Sequence, residues 1–233
     1  VSLVNSGSTP FSGLILTDDL GGYPFGSATV YPLDYEEGSL AYFVDGVQQP
    51  TPAVIATQPL TLGGISVPAG GNAILVYVSR ISAYAPLDVE GTVVNTVTVS
   101  GGGLPESLVA SETVETADSP VLSITKTLSP TSVPENGTIT YGFLVENRGN
   151  TAAVATDNLV ISDVFDPILD ITSVTLNGTL LVEGTDYTYD ETTGAFATLP
   201  GVITLPAATF TQGADGAYTV DPGEAVLTVV GTI

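Results

Sequence analysis

The chain has 233 residues, with 25 acidic side chains against 3 basic ones and a net charge of −22. That balance argues against nucleic acid, which needs clustered Lys and Arg, and against an anionic membrane surface. With no Cys and no His, it also excludes disulfides, the usual zinc and iron–sulfur sites, and Ser-His or Cys-His nucleophile pairs.

Hydrophobic residues make up 43% of the chain, enough to bury a core. No apolar run approaches the ~18 residues of a membrane span. The first residues do not read as a secretory leader, which fits a mature product.

In chain order, the predicted elements are short alternating runs rich in Val, Ile, Thr and Tyr. They include VSLV (1–4), SGLILTDDL (12–20), SLAYFVDGVQQP (39–50), NAILVYVSRI (72–81) and GTVVNTVTVS (91–100). After these come LSITKTL (122–128), TITYGFLVEN (138–147), LVISDVF (159–165), YTYDETTGAFATL (187–199) and AVLTVVGTI (225–233). The dipeptides Asp45-Gly46 and Asn177-Gly178 predict tight hairpin turns. No amphipathic helix is evident. The fold class expected is all-β, as two tandem Ig-like antiparallel β-sandwich domains.

An internal repeat sets the organisation. Asn5, Gly7 and Thr9 match Asn147, Gly149 and Thr151, and LILTDDL (14–20) matches LVISDVF (159–165). ISVPAGGNAILVYVSRI (65–81) matches YTVDPGEAVLTVVGTI (218–233), and the second copy carries insertions, mainly at 176–200. Domain 1 is therefore 1–118 and domain 2 is 119–233, joined at 115–120. The frame is offset. Domain 2 has opening strands (119–142) without a match in domain 1, and domain 1 has closing strands (82–118) without a match in domain 2. Each domain is expected to be incomplete at one chain end.

The run SITKTLSP, then TITYGFLVENRGNTA, then a strand ending in Ser-Asp, and the run VVNTVTV resemble a known family. This is the bacterial "conserved repeat" domain of unknown function, number eleven of that series. Its members are Ig-like extracellular modules, often in tandem, on Gram-positive surface proteins. The resemblance implies an extracellular or cell-surface location, a structural or adhesive role, and no enzyme activity.

Four side chains carry the chemistry. In the 122–128 run, Leu122, Ile124, Lys126 and Leu128 share one face, so the only lysine is expected to face the core. Asp163 is in phase with Leu159, Ile161 and Phe165, and Asp18 with Leu14, Leu16 and Leu20. Asn95 is in phase with Val93, Val97 and Val99. An inward Lys, Asp and Asn are similar to the self-forming isopeptide cross-link of Gram-positive pilin and adhesin domains. That likeness implies that the lysine amine attacks the Asn carboxamide while the acid shuttles protons. Burial favours the neutral amine and the neutral acid that such a reaction needs. The alternative is a Lys126–Asp163 ion pair with Asn95 bonded to backbone. Neither domain holds the whole set: domain 2 has Lys126 and Asp163, and domain 1 has Asp18 and Asn95.

Other groupings are weaker. Asp186, Asp190 and Glu191, and Asp34, Glu36 and Glu37, lack the spacing of a calcium loop and read as solvated turns. Tyr31, Tyr35, Tyr42, Tyr187 and Tyr189 fit cross-strand packing better than a sugar-stacking patch. Asn-Gly-Thr occurs at 136–138 and 177–179, a glycosylation triplet that carries little weight in a bacterial protein. No metal and no cofactor are expected.

The expected function is a structural subunit of an extracellular fibre or surface appendage. A sandwich missing a strand exposes a groove and unpaired backbone groups, which a strand from the next subunit fills. The natural donor is a segment upstream of Val1 in a neighbouring chain. The partner is then a copy of the chain itself, in a head-to-tail homopolymer, with no nucleic acid and no membrane insertion. Alternatives are a stalk fragment of a long tandem-repeat adhesin and a carbohydrate-binding module.

Overall fold

The computed structural model describes every residue except Glu90. Residues 1–116 and 211–219 form one compact unit, and residues 117–210 and 220–233 form a second. Both are all-β sandwiches of antiparallel sheets.

In unit 1, one sheet has the strand order Ser2–Val4, Asn72–Val76, Ala41–Val44, Val47–Gln49. The facing sheet runs Leu108–Glu115, Thr92–Gly101, Phe11–Asp18, Leu60–Val67, Ala53–Thr57. Alternation decides which side chains meet between them. Leu14 and Leu16 point in from one strand, Leu60, Leu62 and Ile65 from the next, and Ala73 and Leu75 from the opposite sheet. Asp45 and Gly46 both take positive φ and close the hairpin between Ala41–Val44 and Val47–Gln49, as that dipeptide predicts.

In unit 2, one sheet runs Leu122–Ser129, Thr138–Asn147, Gly223–Thr232, Asp170–Leu176, Thr179–Leu180. The other runs Ser162–Val164, Ala195–Thr198, Tyr187–Asp190. The 138–147 strand buries every second residue: Ile139, Tyr141, Phe143, Val145 and Asn147. The 223–232 strand does the same with Ala225, Leu227 and Val229. Phe165 and Phe196 fill the space between the sheets.

The two units share one plan. Ser2 pairs with Ile74 in unit 1 and Leu144 with Val226 in unit 2, the register that the sequence match requires. Leu60 pairs with Asp18, and Phe196 pairs with Asp163. One part of the sequence match is corrected. The Asn5 amide donates to the carbonyl of Pro68 at 2.8 Å and the Asn147 amide to that of Pro206 at 2.9 Å. The counterpart of Ile65-Ser66-Val67-Pro68 is thus Ile203-Thr204-Leu205-Pro206, not the run at 218–222. A hairpin (Thr209–Gln212 with Tyr218–Asp221) is inserted after it, and the similarity of YTVD to ISVP disguised the insertion.

The plan differs at one end of each sandwich. In unit 2 the 122–129 strand lies along the 138–147 strand, with Lys126 opposite Phe143 and Ile124 opposite Val145. In unit 1 no described residue lies along the corresponding edge of the 2–4 strand. Conversely, the 92–101 strand lies along the 11–18 strand, with Val97 opposite Asp18 and Val99 opposite Leu16. No described residue takes that place beside the 162–164 strand in unit 2.

Candidate functional site

The site occurs twice, as two different halves. In unit 2, the Lys126 ammonium contacts Asp163 Oδ2 as an ion pair. That oxygen is buried and, among the described residues, has no hydrogen-bond partner beyond this ion-pair contact. The ammonium also sits 4.9 Å from the ring centroid of Tyr141 and 5.8 Å from those of Phe143 and Phe165. Aromatic faces attract a cation at these distances. Lys126 therefore points inward, as its phase with Leu122, Ile124 and Leu128 predicts.

It is not buried, and here the expectation of a core lysine is corrected. The Lys126 side chain is 42% exposed and that of Asp163 18%. Its strand is an edge strand whose residues are all exposed. The cause is the uncovered place beside the 162–164 strand. Next to it, between the lysine strand and residues 159–161, an apolar groove of about 190 Å3 is lined by Leu122, Ile124, Val145, Leu159, Ile161 and Ile203. Ile124, 56% exposed, is a large apolar side chain in the groove that a further strand would cover.

In unit 1 the acid is buried and well held. Asp18 is 1% exposed. The backbone N–H of Leu20 donates to its Oδ1 at 2.8 Å. The Asn95 amide donates to Oδ2 at 3.3 Å, and the Tyr77 hydroxyl donates to the same oxygen. Burial and the neighbouring carboxylate push the Tyr77 phenol far above its ordinary range, so it stays a proton donor. Asn95 Oδ1 accepts the N–H of Gly21 at 3.1 Å. The carboxamide is thus held at both ends, with a donor on its oxygen and the acid beside its nitrogen. Gly21 is required for this. Its φ is +69°, and a Cβ there would lie 2.4 Å from Val93. Sequence phase placed Asp18 and Asn95 together but gave no sign of Tyr77 or Gly21. The first lies just past the end of its strand and the second in a turn.

A matched pair of asparagines frames each half. Asn147 is fully buried; its amide donates to Thr151 and Pro206, and its Oδ1 accepts the N–H groups of Gly149 and Val121, both at 3.0 Å. Asn5 repeats three of the four bonds, to Thr9, Pro68 and Gly7. The bond lacking among the described residues is the one that Val121, at the head of the lysine strand, makes in unit 2.

The remaining residues singled out from sequence do not join either half. Asp186 accepts the N–H of Val182 and Asp190 that of Thr192, which with the Thr193 side chain holds the Asp190 carboxyl below its usual range. Asp34 binds Gln58, and Glu36 pairs with Arg80 on the surface. Glu37 and Glu191 are exposed. Tyr42 and Tyr187 are buried, and Tyr35 packs edge-on to Tyr77. Asn177 closes its hairpin in a left-handed turn, and Asn136 takes the same φ region.

Compared with known proteins, the chain matches no family model and no curated protein.

Proposed function

We propose that this chain is a structural subunit of an extracellular fibre or surface appendage, on a Gram-positive bacterium, assembled by strand donation between copies. One observation carries the reading. The apolar groove of unit 2 and its Lys126–Asp163 pair both lie along residues 159–163, whose counterpart in unit 1, built on the same plan, pairs with the Asn-bearing strand Thr92–Gly101. The occupant is a strand of that pattern from a neighbouring copy, with Val at the inward positions and Asn facing Lys126.

Closing the groove covers Ile124 and Leu159, at ~25 cal/mol per Å2 of apolar surface. Backbone pairing along the free edge of the 162–164 strand adds direction and register. The charge of −22 opposes diffuse association but not a strand-specific fit. The resemblance to tandem extracellular modules supports the surface setting.

The same groove supports a covalent lock. Closure would desolvate Lys126 and Asp163 and bring an Asn carboxamide beside them. The amine attacks Cγ of the donor Asn, Nζ–Cγ forms, Cγ–Nδ2 breaks, and ammonia leaves. Asp163 takes the proton that the amine loses and returns one to the departing nitrogen. Unit 1 illustrates the geometry that an Asn takes in this fold, with Asp18 at its nitrogen and a backbone N–H at its oxygen.

A synthetic peptide with the sequence of residues 91–100 tests this. The full chain should bind it and gain its mass less one ammonia, with the modification on Lys126. The same peptide with Asn replaced by Ala should bind without the adduct. If neither peptide binds, the groove is not a strand acceptor. If both bind and no adduct forms, the lock is wrong and the ion pair is the final state.

A further inference from the structure

Unit 1 has its own cleft, and it is not the one described for unit 2. It runs along the free edge of the 2–4 strand in two stretches. One, of about 340 Å3, is lined by Leu3, Asn5, Phe11, Leu14, Val99 and Leu108 among others. The next, of about 400 Å3, is lined by Val1, Asp18, Tyr77, Asn95 and Glu112 among others. The first is mainly apolar. The second ends on a buried acid, a phenol and a carboxamide.

We infer that this cleft is a second strand-acceptor seat, selective for a strand that presents a lysine to Asp18 and Asn95. Its occupant is a β-strand with the pattern apolar–x–apolar–x–Lys–x–apolar, as in residues 122–128, laid antiparallel along Ser2–Val4. The inference rests on the proposed reading of the repeat as a strand-complemented sandwich.

Three observations support this occupant over any other extended peptide. First, the equivalent edge in unit 2 holds such a strand in a defined register, with Leu122 opposite Asn147, Ile124 opposite Val145 and Lys126 opposite Phe143. Transferred through the repeat, these positions fall opposite Asn5, Leu3 and Val1, which line the two stretches of the cleft. The two apolar residues meet Leu3 and Leu14, and the lysine reaches Asp18. Second, Asn5 makes every bond of Asn147 except the one from Val121. An incoming strand supplies that N–H from the residue five before its lysine. Third, the carboxylate at the deep end carries no cationic partner among the described residues. Asp18 has only neutral donors, the Leu20 N–H, the Asn95 amide and the Tyr77 phenol. Glu112, also lining the cleft, adds a second negative charge that favours a cation.

Tyr77 is the positioning residue of this seat. It stands in place of Val229 in the repeat, and its phenol holds Asp18 Oδ2, the atom whose counterpart in Asp163 meets Lys126. It keeps the acid in position while no lysine is present.

The test uses the full chain and a peptide with the sequence of residues 121–129. Binding is measured by fluorescence anisotropy, and its location by backbone amide exchange. The amides of Val1 and Asn5 face the 72–76 side, where the N-terminal amine bonds Leu75 and the Asn5 N–H bonds Gly71. Those of Ser2, Val4 and Ser6 therefore face the open edge. The expected result is binding that protects Ser2, Val4 and Ser6, weakened about tenfold when methionine replaces the peptide lysine, the loss expected for one charge-assisted contact. Protection of the 138–147 strand alone would mean that the peptide only exchanges with the chain's own 122–129 strand, and it would overturn the proposal. So would equal affinity of the lysine and methionine peptides. Neither outcome touches the groove of unit 2, which the peptide of residues 91–100 probes separately.

Discussion

Asp18 and Asp163 occupy the same position of the repeat, but Tyr77 holds the first and Lys126 the second. The first is buried with three neutral donors; the second is partly exposed and contacts a single cation. The difference follows from which neighbouring strand each unit has. Where the Asn-bearing strand is present, the acid is sealed in. Where it is absent, the acid and its lysine remain half open.

Replacing Tyr77 tests how far unit 1 depends on its phenol. Tyr77→Phe removes a partly buried hydrogen bond to a carboxylate and leaves Asp18 Oδ2 with the Asn95 amide. The expected cost is about 1.5–3 kcal/mol, read from denaturant unfolding of unit 1.

The same phenol sets a pH dependence. Its folded value is raised above the ordinary tyrosine range, so the proton is held more tightly in the folded state. Stability from this group is complete below about pH 10 and falls as the pH rises beyond it. Following phenolate absorbance alongside unfolding should show this loss in the native chain, with a smaller loss in Tyr77→Phe.

The framing asparagines should differ in weight. Asn147→Ala deletes four hydrogen bonds and frees the head of the lysine strand, whereas Asn5→Ala deletes three. The first is expected to cost on the order of 3 kcal/mol or more and the second less. Thermal unfolding of each variant checks the order, and equal losses would mean that the Val121 contact contributes nothing.

Lys126→Met separates stability from assembly. The ion pair is 42% exposed on the lysine side, so solvent screens it, and its loss should change the stability of the isolated chain by about 1 kcal/mol or less. Material assembled from the variant should come apart when boiled in detergent, while material from the native chain should not. Intact masses accompany that result: native assemblies lack one ammonia per lock and variant assemblies lack none.

Much of this was legible in the sequence, for physical reasons. Strand alternation is a two-residue period, so Leu122, Ile124 and Lys126 had to share a face, and so did Val93, Asn95, Val97 and Val99. The Asn-x-Gly repeat fixed both loop corners, because the same side-chain bonds recur in each. What periodicity does not encode is depth. It gave the direction of Lys126 but not its 42% exposure, which depends on a strand that no described residue supplies. Nor could it show that Tyr77 reaches Asp18, since the two are far apart in sequence and Tyr77 stands where unit 2 has Val229. The inserted hairpin after Ala208 hid the match of Pro68 to Pro206, because the inserted YTVD imitates a strand end.

Electron cryomicroscopy of the native assembled material decides whether the free edge at Ser162–Val164 is filled by a strand from another copy. Strand donation predicts filaments in which continuous density, traced back to a neighbouring subunit, lies along Ser162–Val164 with an Asn against Lys126 and Asp163. Single particles, or a groove closed by a strand of the same polypeptide, would contradict it.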